Sequence, residues 1–231
     1  LVSPQTDRAG RTAWTAGEPF SQGQINVITA ADGGRQIIAW GGSEDGIRVV
    51  NGKAAPWSSL RQVVSAATSS DGQISVCSRG GGKTLMLLDA AGNQKAEIPG
   101  LSQPWVAISP DGTRVSANSV RSVHCWDTAS QKLLWERPKD FPFIRCAPVH
   151  TPDGRFIIVR TGLHPAVLDA ATGDTLAVLA PAFPAHIHST TLSPDGSRFA
   201  ACGRNFVLIW EWNTIQQEMQ RRGMWRTGTS R

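Results

Sequence analysis

An Asp-Gly turn between short apolar runs returns five times along this chain, at Asp32-Gly33, Asp71-Gly72, Asp111-Gly112, Asp153-Gly154 and Asp195-Gly196. Successive turn glycines stand 39, 40, 42 and 42 residues apart. A second mark keeps the same beat. An acidic or amide residue closes the following run at Asn51, Asp89, Asp127, Asp169 and Glu211, at intervals of 38, 38, 42 and 42. Two independent marks on one period define a repeat, and a period of about 40 residues points to supersecondary units stacked into an array.

The third unit shows what each repeat contains. In WVAISPDGTRVSANSVRSVHCWD, residues 105 to 127, Pro110 presets φ for the turn, Asp111 can cap it and Gly112 takes the position that needs φ > 0. β-rich runs flank the turn, and TASQKLLWERP adds a polar turn and a fourth run. Each unit therefore predicts four strands, a to d, of about four to seven residues. No unit carries helical periodicity, which excludes a helical solenoid. A four-stranded sheet of this length cannot bury both of its faces alone, and stacking such sheets around an axis gives a β-propeller. The predicted fold is all-β, with about five four-stranded antiparallel blades and a short C-terminal helix.

Trp126-Asp127, at the end of strand c, is the dipeptide of the WD40-repeat family. Trp210-Glu211, Leu88-Asp89 and Leu168-Asp169 hold the same place in weaker form, and Val50-Asn51 weaker again. On these residues the chain resembles that family over residues 25 to 213. The resemblance implies a rigid ring of loops presented to peptides or other domains, with Asp89, Asp127 and Asp169 serving the repeat rather than a reaction. The family's Gly-His pair is absent, and only Asp45 supplies its b to c turn aspartate. Blade cohesion is therefore expected to rest more on packed Val, Ile, Leu and Trp than on polar tetrads. Trp40, Trp57, Trp105, Trp126, Trp135 and Trp210 fall on strand positions and are expected to fill space between blades.

This reading gives a propeller over 1–213, with units near 25–61, 62–101, 102–140, 141–182 and 183–213, and a short helix with a basic tail over 214–231. Residues 7–19, DRAGRTAWTAGEP, parallel the c to d turn and strand d of the third unit, and strand d is what the fifth unit lacks. Residues 12–16 are thus expected to complete the last blade and lock the ring. The chain opens on Leu1, and both a piece of a larger protein and a complete five-bladed ring fit that start. Thr214 is the expected N-cap of the helix, with Ile215 and Met219 on one face.

The net charge is +5, but residues 1–213 hold 19 Lys and Arg against 17 Asp and Glu, while the tail holds Arg221, Arg222, Arg226 and Arg231 against Glu218. A nearly neutral body does not argue for nucleic acid. No apolar run approaches the roughly 20 residues that span a bilayer, so no membrane role is expected. Cys77, Cys125, Cys146 and Cys202 fall in strands without a Cys-x-x-Cys pair, which reads as core thiols in a reducing, cytoplasmic setting.

Three patterns tempt a cofactor or metal assignment and fall short. Gly80-Gly81-Gly82-Lys83-Thr84 lacks the first glycine of a phosphate loop, since Cys77 stands there, and a strand follows it where a helix is needed. His186, His188 and Cys146 could approach one another at the inner strands, but no fourth zinc ligand is evident. Asp169-Ala170-Ala171-Thr172-Gly173 resembles the phrase of quinoprotein propellers, yet no ladder of tryptophans accompanies it. Without a nucleophile, base and orienting group in a recognisable set, no enzyme, cofactor or metal site is expected.

The sequence thus reads as a protein-interaction scaffold. In a propeller the b to c and d to a loops share one face. The first set carries Arg79, Arg121, His164 and Arg204, and the second carries Lys139, Asp140, Phe141 and Phe143. A basic rim beside an aromatic patch suits an acidic or aromatic-bearing protein or peptide. The alternative is a regulatory or substrate-binding propeller within a larger enzyme or sensor, kinase- or protease-linked for example, or a quinoprotein-like propeller.

Overall fold

A computed structural model describes residues 3–6, 12–15, 25–41, 45–50, 53–81, 83–99, 101, 104–138, 146–160, 164–181, 183, 187–193 and 195–224. Strands β1 (Ser3–Thr6) and β2 (Thr12–Thr15) form a two-stranded hairpin. The first blade follows with β3 (Ile25–Ala31), β4 (Gln36–Gly41), β5 (Gly46–Val50) and β6 (Lys53–Ser58). The second holds β7 (Val63–Thr68), β8 (Ile74–Arg79), β9 (Thr84–Asp89) and β10 (Gln94–Pro99). In the third are β11 (Trp105–Ile108), β12 (Arg114–Asn118), β13 (Ser122–Asp127) and β14 (Leu133–Pro138). The fourth contains β15 (Val149–His150), β16 (Phe156–Arg160), β17 (Pro165–Asp169) and β18 (Thr175–Val178). The fifth has β19 (Ser189–Leu192), β20 (Arg198–Cys202) and β21 (Val207–Glu211), and helix α1 (Trp212–Arg221) ends the described chain. Within every blade the strands pair antiparallel in sequence order, which is the propeller arrangement.

The turn between strands a and b is written in the same atoms four times. The hydroxyls of Ser69, Ser109, Thr151 and Ser193 donate to Oδ1 of Asp71, Asp111, Asp153 and Asp195 at 2.5 to 2.6 Å. Each of those carboxylates also accepts the backbone N–H two residues on, at 3.0 to 3.1 Å. The hydroxyl in turn accepts an N–H from the start of strand b. Gly72, Gly112, Gly154 and Gly196 then take φ between 67° and 73°, a conformation open to glycine at little cost. The hydroxyl of Ser193 and the N–H of Ser197 hold the Asp195 carboxyl down at about 2.

Four apolar cores lie between successive blades. Ile38 and Trp40 meet Cys77, Met86 and Leu88 between the first and second. Val76, Leu85 and Leu87 meet Val106, Val115 and Trp126 between the second and third. Val123 and Trp135 meet Ile157 and Leu168 between the third and fourth. Phe156, Ile158 and Val167 meet Phe199 and Ala201 between the fourth and fifth. In each case the forward face of one sheet covers the back face of the next. The indoles come from either side: Trp57 and Trp135 from the preceding blade, Trp126 and Trp210 from the following one. Where strand d carries Ala96 or Ala177 in the place of Trp135, the opposing blade supplies Trp126 or Trp210. Trp57 and Trp135 also donate Nε1–H to the carbonyls of Ala90 and Ala170 at 3.0 and 3.1 Å.

Polar links add to this packing. The last residues of strand b reach across to the chain just ahead of the next blade's strand a. Ser78 Oγ donates to Pro104 O at 2.8 Å, Asn118 Nδ2 to Cys146 O at 2.9 Å, and Arg160 Nη1 to Ile187 O. A hydroxyl, an amide and a guanidinium thus do the same job in three consecutive blades. Each satisfies a carbonyl that burial would otherwise leave costly.

The ring-closing role expected of residues 12–16 is corrected. Thr12–Thr15 pairs along its length with Ser3–Thr6, and among the described residues the fifth sheet has three strands. A hairpin with a short connection closes at far less entropic cost than a pairing across the whole chain. The helix starts at Trp212 rather than at Thr214, with Glu211 as its N-cap. Trp212 sets that start because its ring packs edge-on to Phe156, with centroids 5.6 Å apart, and its N–H donates to Ser197 O at 2.7 Å. Met219 is buried in the same core, joined by Ile215, so the helix is part of the propeller body.

Burial raises the Cys77 and Cys125 thiols to about 12 and also raises Cys146, whereas Cys202 is only half-buried. Thiolate is the reactive form. A thiol reagent applied to the native protein is expected to label Cys202 first by a wide margin, with all four cysteines reacting in denaturant. Mass mapping of the labelled peptides checks this.

Candidate interaction surface

The c to d turns are fixed by the residues that close strand c. Asp127 Oδ1 accepts the Ser130 N–H at 2.7 Å and the Ser130 hydroxyl at 2.6 Å. Those bonds hold its carboxyl below the usual range, the hydroxyl contributing most. Asp89 accepts the N–H groups of Ala91 and Asn93, both at 2.9 Å, and its carboxyl is likewise lowered, chiefly by Asn93. Asp169 accepts those of Ala171 and Thr172 at 2.7 and 3.0 Å. Glu211 instead pairs with Arg198 at 3.0 Å. Asp127→Ala is therefore expected to lower the melting temperature while leaving far-ultraviolet circular dichroism unchanged. Its stability advantage over the variant exists above the ordinary aspartate pKa and disappears as acid protonates Asp127, so melts at pH 7 and pH 2.5 check it.

The b to c connections place the basic residues at one end of their blades. Arg79 closes β8, exposed, and its Nε–H donates to Arg61 O at 3.0 Å, which pins the side chain along the second blade. Arg121 stands exposed in the connection between β12 and β13. His164 precedes β17, half-buried, with Nδ1 lacking a hydrogen-bond partner among the described residues. Arg204 is exposed between β20 and β21. Asn51, Lys139, Asp140, Phe141, Phe143, His186 and Trp225 lie outside the described residues.

Arg121 has company that sequence reasoning missed. It stands at the lip of a cavity of about 420 Å³ lined also by Leu101, Ser119, Ser122, His124 and Glu136. His124 and Glu136 are cross-strand partners on β13 and β14, and His124 Nε2 lies 3.2 Å from Glu136 Oε1 and 3.2 Å from Ser122 Oγ. The imidazole stacks on Trp126, with centroids 5.2 Å apart at 16°. Both polar contacts fall on the same ring nitrogen. A serine-histidine-acid relay needs the acid on the opposite nitrogen from the serine, so this trio is not arranged for nucleophilic catalysis. What the cavity offers is the exposed Arg121 guanidinium beside an imidazole held by Ser122 and Glu136. No signal along the sequence flags the His124–Glu136 pair, because a bulge between Cys125 and Trp126 shifts the register that the turn after Asp127 would set.

No family model matches this chain, and no curated protein sequence does. Among solved structures it is similar to a chain of Kuenenia stuttgartiensis hydrazine synthase, with a TM-score of 0.62 and 18% sequence identity over 80% of this chain and 58% of that one. This chain thus spans less than two thirds of that neighbour's length. At such identity the likeness concerns the fold alone, and together with the five stacked antiparallel sheets it makes this chain a five-bladed β-propeller.

Proposed function

We propose that this propeller is a non-enzymatic interaction module, WD-repeat-like in architecture, that binds an acidic protein or peptide segment on the end bearing its b to c connections. The observation that carries the reading is the cavity beside Arg121. A carboxylate entering it would meet the Arg121 guanidinium, while the Ser119 and Ser122 hydroxyls, bonded to Ser122 O and beside His124 Nε2, shape the wall and His124 holds Glu136 to one side. Arg79, held along its own blade, and Arg204 add positive charge in the b to c connections of the second and fifth blades. Contacts of this kind speed encounter and weaken as salt screens them.

The test is a pull-down or peptide array with the wild type and with Arg79→Ala/Arg121→Ala/Arg204→Ala. The variant is expected to fold normally and to lose most binding to acidic segments, and wild-type binding is expected to fall as salt rises. Equal capture by both proteins would remove this surface from consideration. A second reading, a propeller that serves a larger enzyme, draws on the name of the structural neighbour. Its discriminating observation is a catalytic domain encoded in the same reading frame.

A further inference from the structure

The third and fourth blades fill one position of strand d differently. Trp135 stands opposite Cys125, and Ala177 stands opposite Val167, the corresponding residue of the next strand c. The Trp135 ring is buried against the c to d turn of the fourth blade, with its Nε1–H on Ala170 O at 3.1 Å. In the fifth blade the place of that turn is taken by helix α1, which begins directly after Glu211. Trp210 enters this interface from the facing blade, yet between Ala177 and the helix a cavity of about 330 Å³ remains. Leu176, Ile215, Met219 and Met224 line it with Ala177. The space that an indole fills between the third and fourth blades is thus open between the fourth and fifth, where the walls are apolar and two methionines can adapt to a flat ring.

Charge at the rim selects among apolar guests. Glu218 and Arg222 belong to the same cavity. Glu218 accepts Nε–H and Nη2–H of Arg221 at 2.8 and 2.7 Å and Nε–H of Arg222 at 2.6 Å. Two guanidinium groups on one carboxylate leave a positive charge in excess, and among the described residues Arg222 engages only its Nε–H. We propose that this cavity binds a small aromatic carboxylate of about indole size, its ring between Ala177 and helix α1 and its carboxylate against Arg222. The volume stands at the low end for small-molecule sites, which suits one ring system with one polar group rather than a long chain. Burial of the ring supplies most of the affinity, and the exposed charge pair supplies the preference for an acid. The site shares no residue with the cavity beside Arg121, so it stands or falls independently of a partner there.

Calorimetric titration of the 231-residue chain with indole-3-acetate and with indole tests this. Both probes are expected to bind, the acid more tightly. Arg222→Gln is expected to weaken indole-3-acetate by up to about fivefold, the upper end for an exposed charge pair, and to leave indole unchanged. Ala177→Trp supplies the ring from the chain itself, as Trp135 does one interface earlier, and is expected to raise the melting temperature and abolish binding of both probes. Ala177→Leu fills part of the same space and is expected to weaken both, which decides the matter if the larger ring does not pack. Absence of binding by the wild type, undiminished binding by the Ala177 variants, or a preference for the acid that survives Arg222→Gln intact would each overturn the proposal.

Discussion

Trp135→Ala lowers the unfolding free energy by about 3–5 kcal/mol, the range for removing a buried indole and leaving its cavity. The ring is 7% exposed, and Nε1–H is bonded to Ala170 O in the next blade. It lies against Gly173, where an added Cβ would come within 2.5 Å of Trp135 Cδ2. Arg137 bonds the same turn, donating to Gly173 O at 2.9 Å and to Asp174 Oδ1 at 2.6 Å. Gly173→Ala is accordingly expected to cost stability twice, roughly 1–3 kcal/mol from overpacking and a further ~1 kcal/mol or more from φ at +74°. In the Trp135→Ala background the overpacking part vanishes and only the backbone part remains, so a denaturant double-mutant cycle separates them. The neighbouring interfaces suggest a rescue. Ala96 and Ala177 are tolerated there because Trp126 and Trp210 fill the gap from the facing blade, so Leu168→Trp is expected to recover part of the loss.

Between pH 6.5 and pH 4, stability is expected to fall by up to about 1.4 kcal/mol per pH unit on account of His150 alone. Burial pushes this imidazole down to about 3, with the Arg114 charge adding to the effect, and Ser116 Oγ lies 2.9 Å from Nε2. The folded protein therefore keeps His150 neutral over that window while the unfolded chain takes up a proton below its ordinary value near 6.5. The folded-state pKa is the depressed one, so the contribution is fully present above pH 6.5 and is lost on acidification. Urea unfolding of the wild type and of His150→Asn at several pH values reads it directly. The variant should lose this part of the slope, and an identical pH dependence in the two proteins would contradict it.

Much of the architecture could be read along the chain because it rests on local chemistry. The Ser/Thr-x-Asp-Gly turns carry their own hydrogen bonds, so each hairpin is specified within a handful of residues, and their spacing gives the blade count. The single amphipathic segment gives the helix, though not its first residue, which Trp212 fixes by packing on Phe156. The polar links between blades were not legible. Ser78, Asn118 and Arg160 share a position but no chemistry, and only the stacking of sheets shows that each points at a backbone carbonyl of the next blade.

The cavity beside Arg121 escaped for a related reason. His124 and Glu136 lie in different strands, and a bulge between Cys125 and Trp126 shifts the pairing, so alternation counted along the sequence does not say which residues share a face. Arg79 looked equivalent to Arg121 by position, yet a bond to Arg61 O holds it along its own blade. The sequence by itself determined the repeat, the strand class and the turns, because those depend on interactions a few residues long. Tertiary structure alone decided which faces are covered, which blade supplies each tryptophan and where β2 pairs, because those outcomes depend on contacts between units that the repeat makes locally alike.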